Sequence, residues 1–118
     1  MIEPITDLSP DVIGMRAVGQ FSVRDYHDVI EPELDRLETT GDDLRLLLYL
    51  GPEFTGFGEG AWAELTRELR RTRFHKGAVV TDDDRVRGAL LVLGWALRGD
   101  VRTFPNRDYD RAARWVAT

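Results

Sequence analysis

Leu46-Leu47-Leu48-Tyr49-Leu50-Gly51-Pro52-Glu53-Phe54-Thr55-Gly56-Phe57-Gly58-Glu59-Gly60 is the stretch on which the fold turns. From Leu44 to Leu50 the chain is apolar except for Arg45. Such a run marks a strand covered on both faces, as in a parallel sheet. The glycines that follow read as a loop, and a helical pattern opens at Ala61-Trp62. Loops at the carboxyl ends of parallel strands line the crevice where α/β proteins bind ligands. Phe54, Gly56, Phe57 and Trp62 are therefore candidate contacts for a ligand or partner, with Thr55 as a polar handle.

Outward from this centre, strands alternate with helices. Ile2 to Ile5 reads as a short strand, followed by a turn at Leu8-Ser9-Pro10-Asp11. Val12 to Gln20 alternates and reads as one strand, antiparallel to the first. Ser22 is a good N-cap. Val23, Tyr26, Ile30, Leu34 and Leu37 form one apolar helix face after it, and Pro32 should kink or restart that helix. Gly41 is expected to end it. Trp62, Leu65 and Leu69 define a second helix whose other side carries Arg67, Arg70, Arg71 and Arg73. Ala78 to Thr81 is a buried strand. Asp82-Asp83-Asp84 then caps a third helix with Val86, Leu90, Leu93 and Leu97 facing the core. Val101 to Phe104 is the last strand. Asn106 or Asp108 caps a final helix in which Tyr109, Ala112, Ala113 and Val116 face in.

This order predicts an α/β domain over residues 1–118, with a mainly parallel sheet of about five strands, an antiparallel edge strand and four helices. The 118 residues suffice for one core without staples. The chain has no cysteine, which rules out disulfides and thiolate chemistry and suits a reducing, cytoplasmic setting. No basic start leads into an apolar run, so no signal peptide is expected. The apolar run Ala89 to Leu97 is too short to span a bilayer. A net charge of −5 argues against nucleic acid as a partner.

The chemical motifs are weak. Gly56-x-Gly58-x-x-Ala61 matches a dinucleotide fingerprint in form, but Pro52 to Thr55 separate it from the strand. Glycines allowing a tight turn and close helix packing explain it better. Asp82, Asp83 and Asp84 suit an N-cap better than a magnesium site, since consecutive side chains diverge. His27 and His75 have no nucleophile or carboxylate at a motif-defining spacing. No catalytic residue, metal or cofactor is therefore expected. Arg67, Arg70 and Arg71 share a helix face that can meet solvent, lipid head groups or an acidic partner. The third helix also carries Leu91, Val92 and Trp95, so a second apolar face needs cover, most simply from a second copy of the chain.

Three segments bring out a resemblance: Tyr26-His27-Asp28-Val29-Ile30-Glu31-Pro32, Leu50-Gly51-Pro52-Glu53-Phe54-Thr55-Gly56-Phe57 and Gly99-Asp100-Val101-Arg102-Thr103-Phe104-Pro105. With the order of elements, they make the chain resemble the SpoIIAA-like family, whose domains share the STAS-type fold of anti-sigma factor antagonists. The resemblance implies STAS-type topology and a non-enzymatic, regulatory or binding role. In the antagonists, a serine followed by glycine in this loop, at the start of the next helix, is phosphorylated by a partner kinase. Thr55-Gly56 looks like that motif, although the residue before Thr55 is the bulky Phe54. Phosphate on Thr55 would gain from a helix N-terminus. The resemblance also implies similarity to CRAL-TRIO-type lipid-exchange domains, in which an apolar cleft and a movable helix accept a lipid-like ligand. The expectation is a homodimeric domain binding a partner protein or apolar ligand beside residues 52–60. The alternative is a lipid carrier making peripheral membrane contact.

Overall fold

A computed structural model describes residues 1–40 and 43–118, with residues 38–40 described by backbone alone. Among these, the strands are β1 (Ile2–Ile5), β2 (Ile13–Ala17), β3 (Gly19–Phe21), β4 (Arg45–Leu50), β5 (Phe54–Phe57), β6 (Lys76–Thr81) and β7 (Val101–Phe104). The helices are α1 (Val23–Asp25), continuing through a π turn (Tyr26–Ile30) into α2 (Glu31–Thr40), then α3 (Ala61–Arg71), α4 (Asp84–Leu93) and α5 (Tyr109–Ala117). The main sheet runs β1-β2-β4-β6-β7. Only β1 is antiparallel to its neighbour, as the sequence implied.

The parallel connections β2 to β4, β4 to β6 and β6 to β7 all step in the same direction. Right-handed crossovers then put every connecting helix on one face. The core agrees. Ile13, Met15, Leu46, Leu48 and Val79 pack with Ile30 and Leu34, with Leu65 and Leu69 of α3, and with Val86 and Leu90 of α4. The other face, with Leu47, Ala78 and Val80, is covered by Ala112 and Val116 of α5. Leu47 and Leu48 are thus both fully buried, on opposite faces. Each contributes roughly 1.5–3 kcal/mol relative to exposure. That is the physical reason the central run alternates so little.

Two expectations are corrected in the strands. Val12 to Gln20 is not one strand: β2 ends at Ala17, and Gly19 takes φ +70, which turns the chain out of the main sheet. The segment Gly51 to Gly60 is not wholly loop. It contains β5, which pairs parallel with β3 in a second, two-stranded sheet. Gly19 N–H donates to Glu53 O at 2.7 Å, and Gly58 N–H donates to Phe21 O at 2.7 Å, closing its two ends.

The helix starts mostly follow the sequence. Ser22 caps α1 in a reciprocal box with Asp25, with the Asp25 N–H donating to Ser22 Oγ at 3.1 Å and the Ser22 N–H to Asp25 Oδ2 at 2.9 Å. The restart expected at Pro32 takes the form of the π turn just before it, where the Glu31 N–H reaches back to Tyr26 O. The end of that helix at Gly41 lies outside the described residues. Asp83 caps α4 by accepting from the Arg85 N–H at 3.0 Å. Leu97 lies beyond α4, not within it, and packs on the core from the following turn. Asp108 stands at the N-cap of α5, but its side chain makes no cap hydrogen bond; a 3-10 turn, Asn106–Asp108, leads into the helix, and the Asn106 N–H donates to Asp82 Oδ1 at 2.8 Å.

Candidate functional site

A sheet wound in one direction has no reversal of strand order, and so lacks the crevice that such reversals open. Here the opening forms between α3 and α4, over the carboxyl end of the sheet. A cavity of about 400 Å³ is lined by Gly56, Phe57 and Trp62 on one side and by Asp83, Arg85, Val86 and Ala89 on the other. A second hollow of about 340 Å³ adjoins it, sharing Gly56, Asp83 and Arg85, and reaches Phe54, Thr55 and Asn106. Together they make one cleft. All five residues expected to bind a ligand or partner line it.

The small second sheet builds the aromatic wall. Phe21 on β3 is fully buried, and its ring centroid lies 5.3 Å from that of Phe57 on β5. Phe57 in turn meets Phe54 and Trp62, each at 5.2 Å. Contacts at these tilted and edge-on angles are the favoured aromatic geometry. Phe57 is thus anchored from below and presents its remaining surface to the cleft. Gly56 sits between the two phenylalanines at φ +133, a conformation open in practice only to glycine.

Thr55 is exposed on β5, not at the start of α3. The N-cap of α3 is Gly60, and no side chain caps it. The helix-terminus argument for a phosphate on Thr55 therefore fails. Thr55 instead shares its hollow with Asp82, Asp83 and Arg85. Those aspartates are committed elsewhere, Asp83 to the α4 cap and Asp82 to the Asn106 N–H. Asp84 is exposed and pairs with Arg87 at 3.9 Å. Among the described residues no three acidic or histidine side chains gather as metal ligands.

The arginines of α3 are exposed, but two are held by their own helix. Arg67 pairs with Glu64 at 3.1 Å and Arg71 with Glu68 at 2.7 Å. Arg70 makes no ion pair among the described residues. Leu91, Val92 and Trp95 point to solvent. His27 pairs with Glu31 at 3.3 Å and His75 is exposed; among the described residues neither side chain bonds a hydroxyl. No described helix is long and apolar enough to cross a membrane.

Two features escaped the sequence. Arg85, Val86 and Ala89 form the far wall of the cleft, although Val86 had read as core alone. Glu68 is a buried hub, only 4% exposed, accepting hydrogen bonds from the Tyr26 hydroxyl, the Thr72 hydroxyl and Arg71. Burial pushes its carboxyl up, but the bonds from Thr72, Tyr26 and Arg71 together outweigh this and hold it below the usual value. Burial, then the Glu68 bond, pushes the Tyr26 hydroxyl far above its ordinary range, so it stays a donor. The available signal was the place of Glu68 between Leu65 and Leu69, on the inward flank of α3.

A family model described as SpoIIAA-like matches residues 12–117. The chain belongs to the SpoIIAA-like family. A crystal structure of an uncharacterized protein of the DUF3478 family with a SpoIIAA-like fold, from Shewanella loihica PV-4, is similar, with a TM-score of 0.73 and 22% identity. The match covers 98% of this chain and 93% of that one. At that identity the likeness establishes the SpoIIAA-like fold. No curated protein sequence matches the chain. The three segments that carried the resemblance fall at the π turn, at β4 to β5 and at β7, the first two beside α3 and the last at the sheet edge.

Proposed function

We propose that this SpoIIAA-like domain is a binding module without catalytic activity, and that its cleft receives an apolar group offered by a small amphiphile or a partner protein. One observation carries the reading. Phe57, Trp62, Val86 and Ala89 face the same 400 Å³ space, while the charged Asp83 and Arg85 stand beside them. Apolar walls with a few polar groups that fix orientation are the usual make-up of a ligand site. The test is an NMR titration with a ladder of short-chain fatty acids and with a hydrophobic dye. Shifts should centre on Phe57, Trp62 and Ala89, and Ala89→Trp should abolish them by filling the space. Undiminished binding by a folded Ala89→Trp variant would count against the cleft.

A second reading, a lipid carrier that meets membranes, is favoured by α3 alone. The helix that brings Trp62 to the cleft also exposes Arg67, Arg70 and Arg71. Cations near an anionic membrane contribute about 1 kcal/mol each. Co-sedimentation with anionic liposomes, weakened by Arg70→Glu, supports it. No sedimentation of the wild-type protein rejects it and leaves the first reading intact.

A further inference from the structure

The cleft has an apolar half and a polar half. Phe57, Trp62, Val86 and Ala89 line the first, and Thr55, Thr81, Asp82 and Asn106 line the second. Asp83 and Arg85 belong to both and mark the junction. The polar half lies at the start of α4, and a bare helix start draws anions. Here that place is already taken, because Asp83 itself accepts the Arg85 N–H at 3.0 Å.

The polar half is rich in acceptors. Asp82 Oδ1 takes the Asn106 N–H at 2.8 Å, and Asp83 Oδ1 takes that of Arg85. The second oxygen of each carboxylate has no hydrogen bond among the described residues. Asn106 adds a third acceptor. Its Oδ1 is buried with no donor among the described residues, so the negative end of that amide dipole is uncompensated. The one cation, Arg85, has 94% of its side chain in solvent and comes no nearer to Asp83 than 3.7 Å. Water and salt screen so exposed a charge.

Resting on the cleft reading above, we propose that the cleft selects amphiphiles with a cationic, hydrogen-bond-donating head. A primary ammonium enters the polar half beside Asp82 and Asp83, while its hydrocarbon part packs on Phe57 and Trp62. An ammonium brings three donors and one positive charge. It can serve both free carboxylate oxygens at once, and it lies in the field of the Asn106 oxygen. A carboxylate head brings acceptors alone. It would meet two like charges, with only the solvated Arg85 to oppose them. A neutral hydroxyl stands between the two.

The test compares hexylamine, hexanol and hexanoate at neutral pH and low salt, by NMR titration of the full chain. The three differ in the head alone. Hexylamine should bind tightest and hexanoate weakest, each step being about two- to fivefold, the range of a partly exposed ion pair. The lead of the amine should shrink as salt is added. Asp82→Asn keeps the acceptor for the Asn106 N–H, and Asp83→Asn keeps a good N-cap for α4, so both should fold. Each should weaken hexylamine about two- to fivefold and leave hexanol unchanged. Hexanoate binding as tight as hexylamine overturns the proposal. So does a lead of hexylamine over hexanol that survives in the double Asn variant. If all three bind alike, or only the hydrophobic dye binds, the cleft reading stands and the head-group preference falls. If none of the four shifts Phe57, Trp62 and Ala89, both fall.

Discussion

The Tyr26 hydroxyl donates a hydrogen bond to the Glu68 carboxylate, joining residues 42 positions apart in sequence and fastening the π turn of the first helix to α3. Both residues are buried, and Thr72 and Arg71 complete the set around the same carboxylate. α3 is also the helix that carries Trp62 to the cleft. The bond therefore bears on how firmly one wall of the cleft is held.

Tyr26→Phe should lower stability by about 1–3 kcal/mol, because Glu68 loses a donor in a buried place. Glu68→Ala should cost more, since Tyr26 and Thr72 both lose their acceptor. Urea unfolding checks both. The double variant should fall short of the sum of the singles, because the two changes remove one shared contact. Strict additivity would mean that the contact contributes nothing to stability.

The same carboxylate sets a pH dependence. Its folded value lies below that of an unfolded glutamate, about 4.3. Its stabilisation is thus complete above the unfolded value and is lost as pH falls through the folded one. Thermal melts between neutral pH and acid should show a decline that is shallower in Glu68→Gln than in the wild type. An identical acid decline in both would place the titrating group elsewhere.

Gly56→Ala should destabilise by about 1–3 kcal/mol, the usual cost of forcing a side chain into a disfavoured backbone region. The φ of +133 is the cause, since a Cβ there meets no neighbour within 4 Å. Amide exchange should rise first in β3 and β5, which pair only with each other. A variant as stable as the wild type would show that β5 relaxes at no cost.

Negative charge at position 55 should be unfavourable. Thr55→Glu places a carboxylate in the hollow that holds Asp82 and Asp83, opposed by Arg85 alone. A loss of about 0.5–1 kcal/mol is expected at low salt, shrinking as salt screens it. In an Asp83→Asn background the same substitution should cost less. A Thr55→Glu protein that gains stability would reverse the electrostatic picture and favour a phosphate at this site.

The sheet and its helices were legible because burial on two faces leaves a plain mark: Leu46 to Leu50, Ala78 to Thr81 and the spaced residues of α3 each show it. The second sheet was not legible. β3 and β5 are three and four residues long, and β5 includes a glycine, so neither has the length or alternation that marks a strand. The near wall of the cleft could be anticipated, since its aromatics sit in one continuous loop segment. The far wall could not, because a helical repeat tells which side of α4 faces inward but not which flank faces α3. Glu68 was hidden among charged neighbours whose outward side is what the eye follows.

The stepwise strand order has a consequence for how the chain assembles. Each strand of the main sheet joins the one placed just before it, as when Leu47 of β4 meets Ala78 of β6. No strand must be inserted between two already paired. Each parallel pairing nevertheless closes a long stretch of chain, from Ile13 to Leu46 and from Arg45 to Lys76, and such non-local pairing is slow to form. During synthesis the sheet can lengthen at one edge as residues emerge, with α5 arriving last to shield the far side.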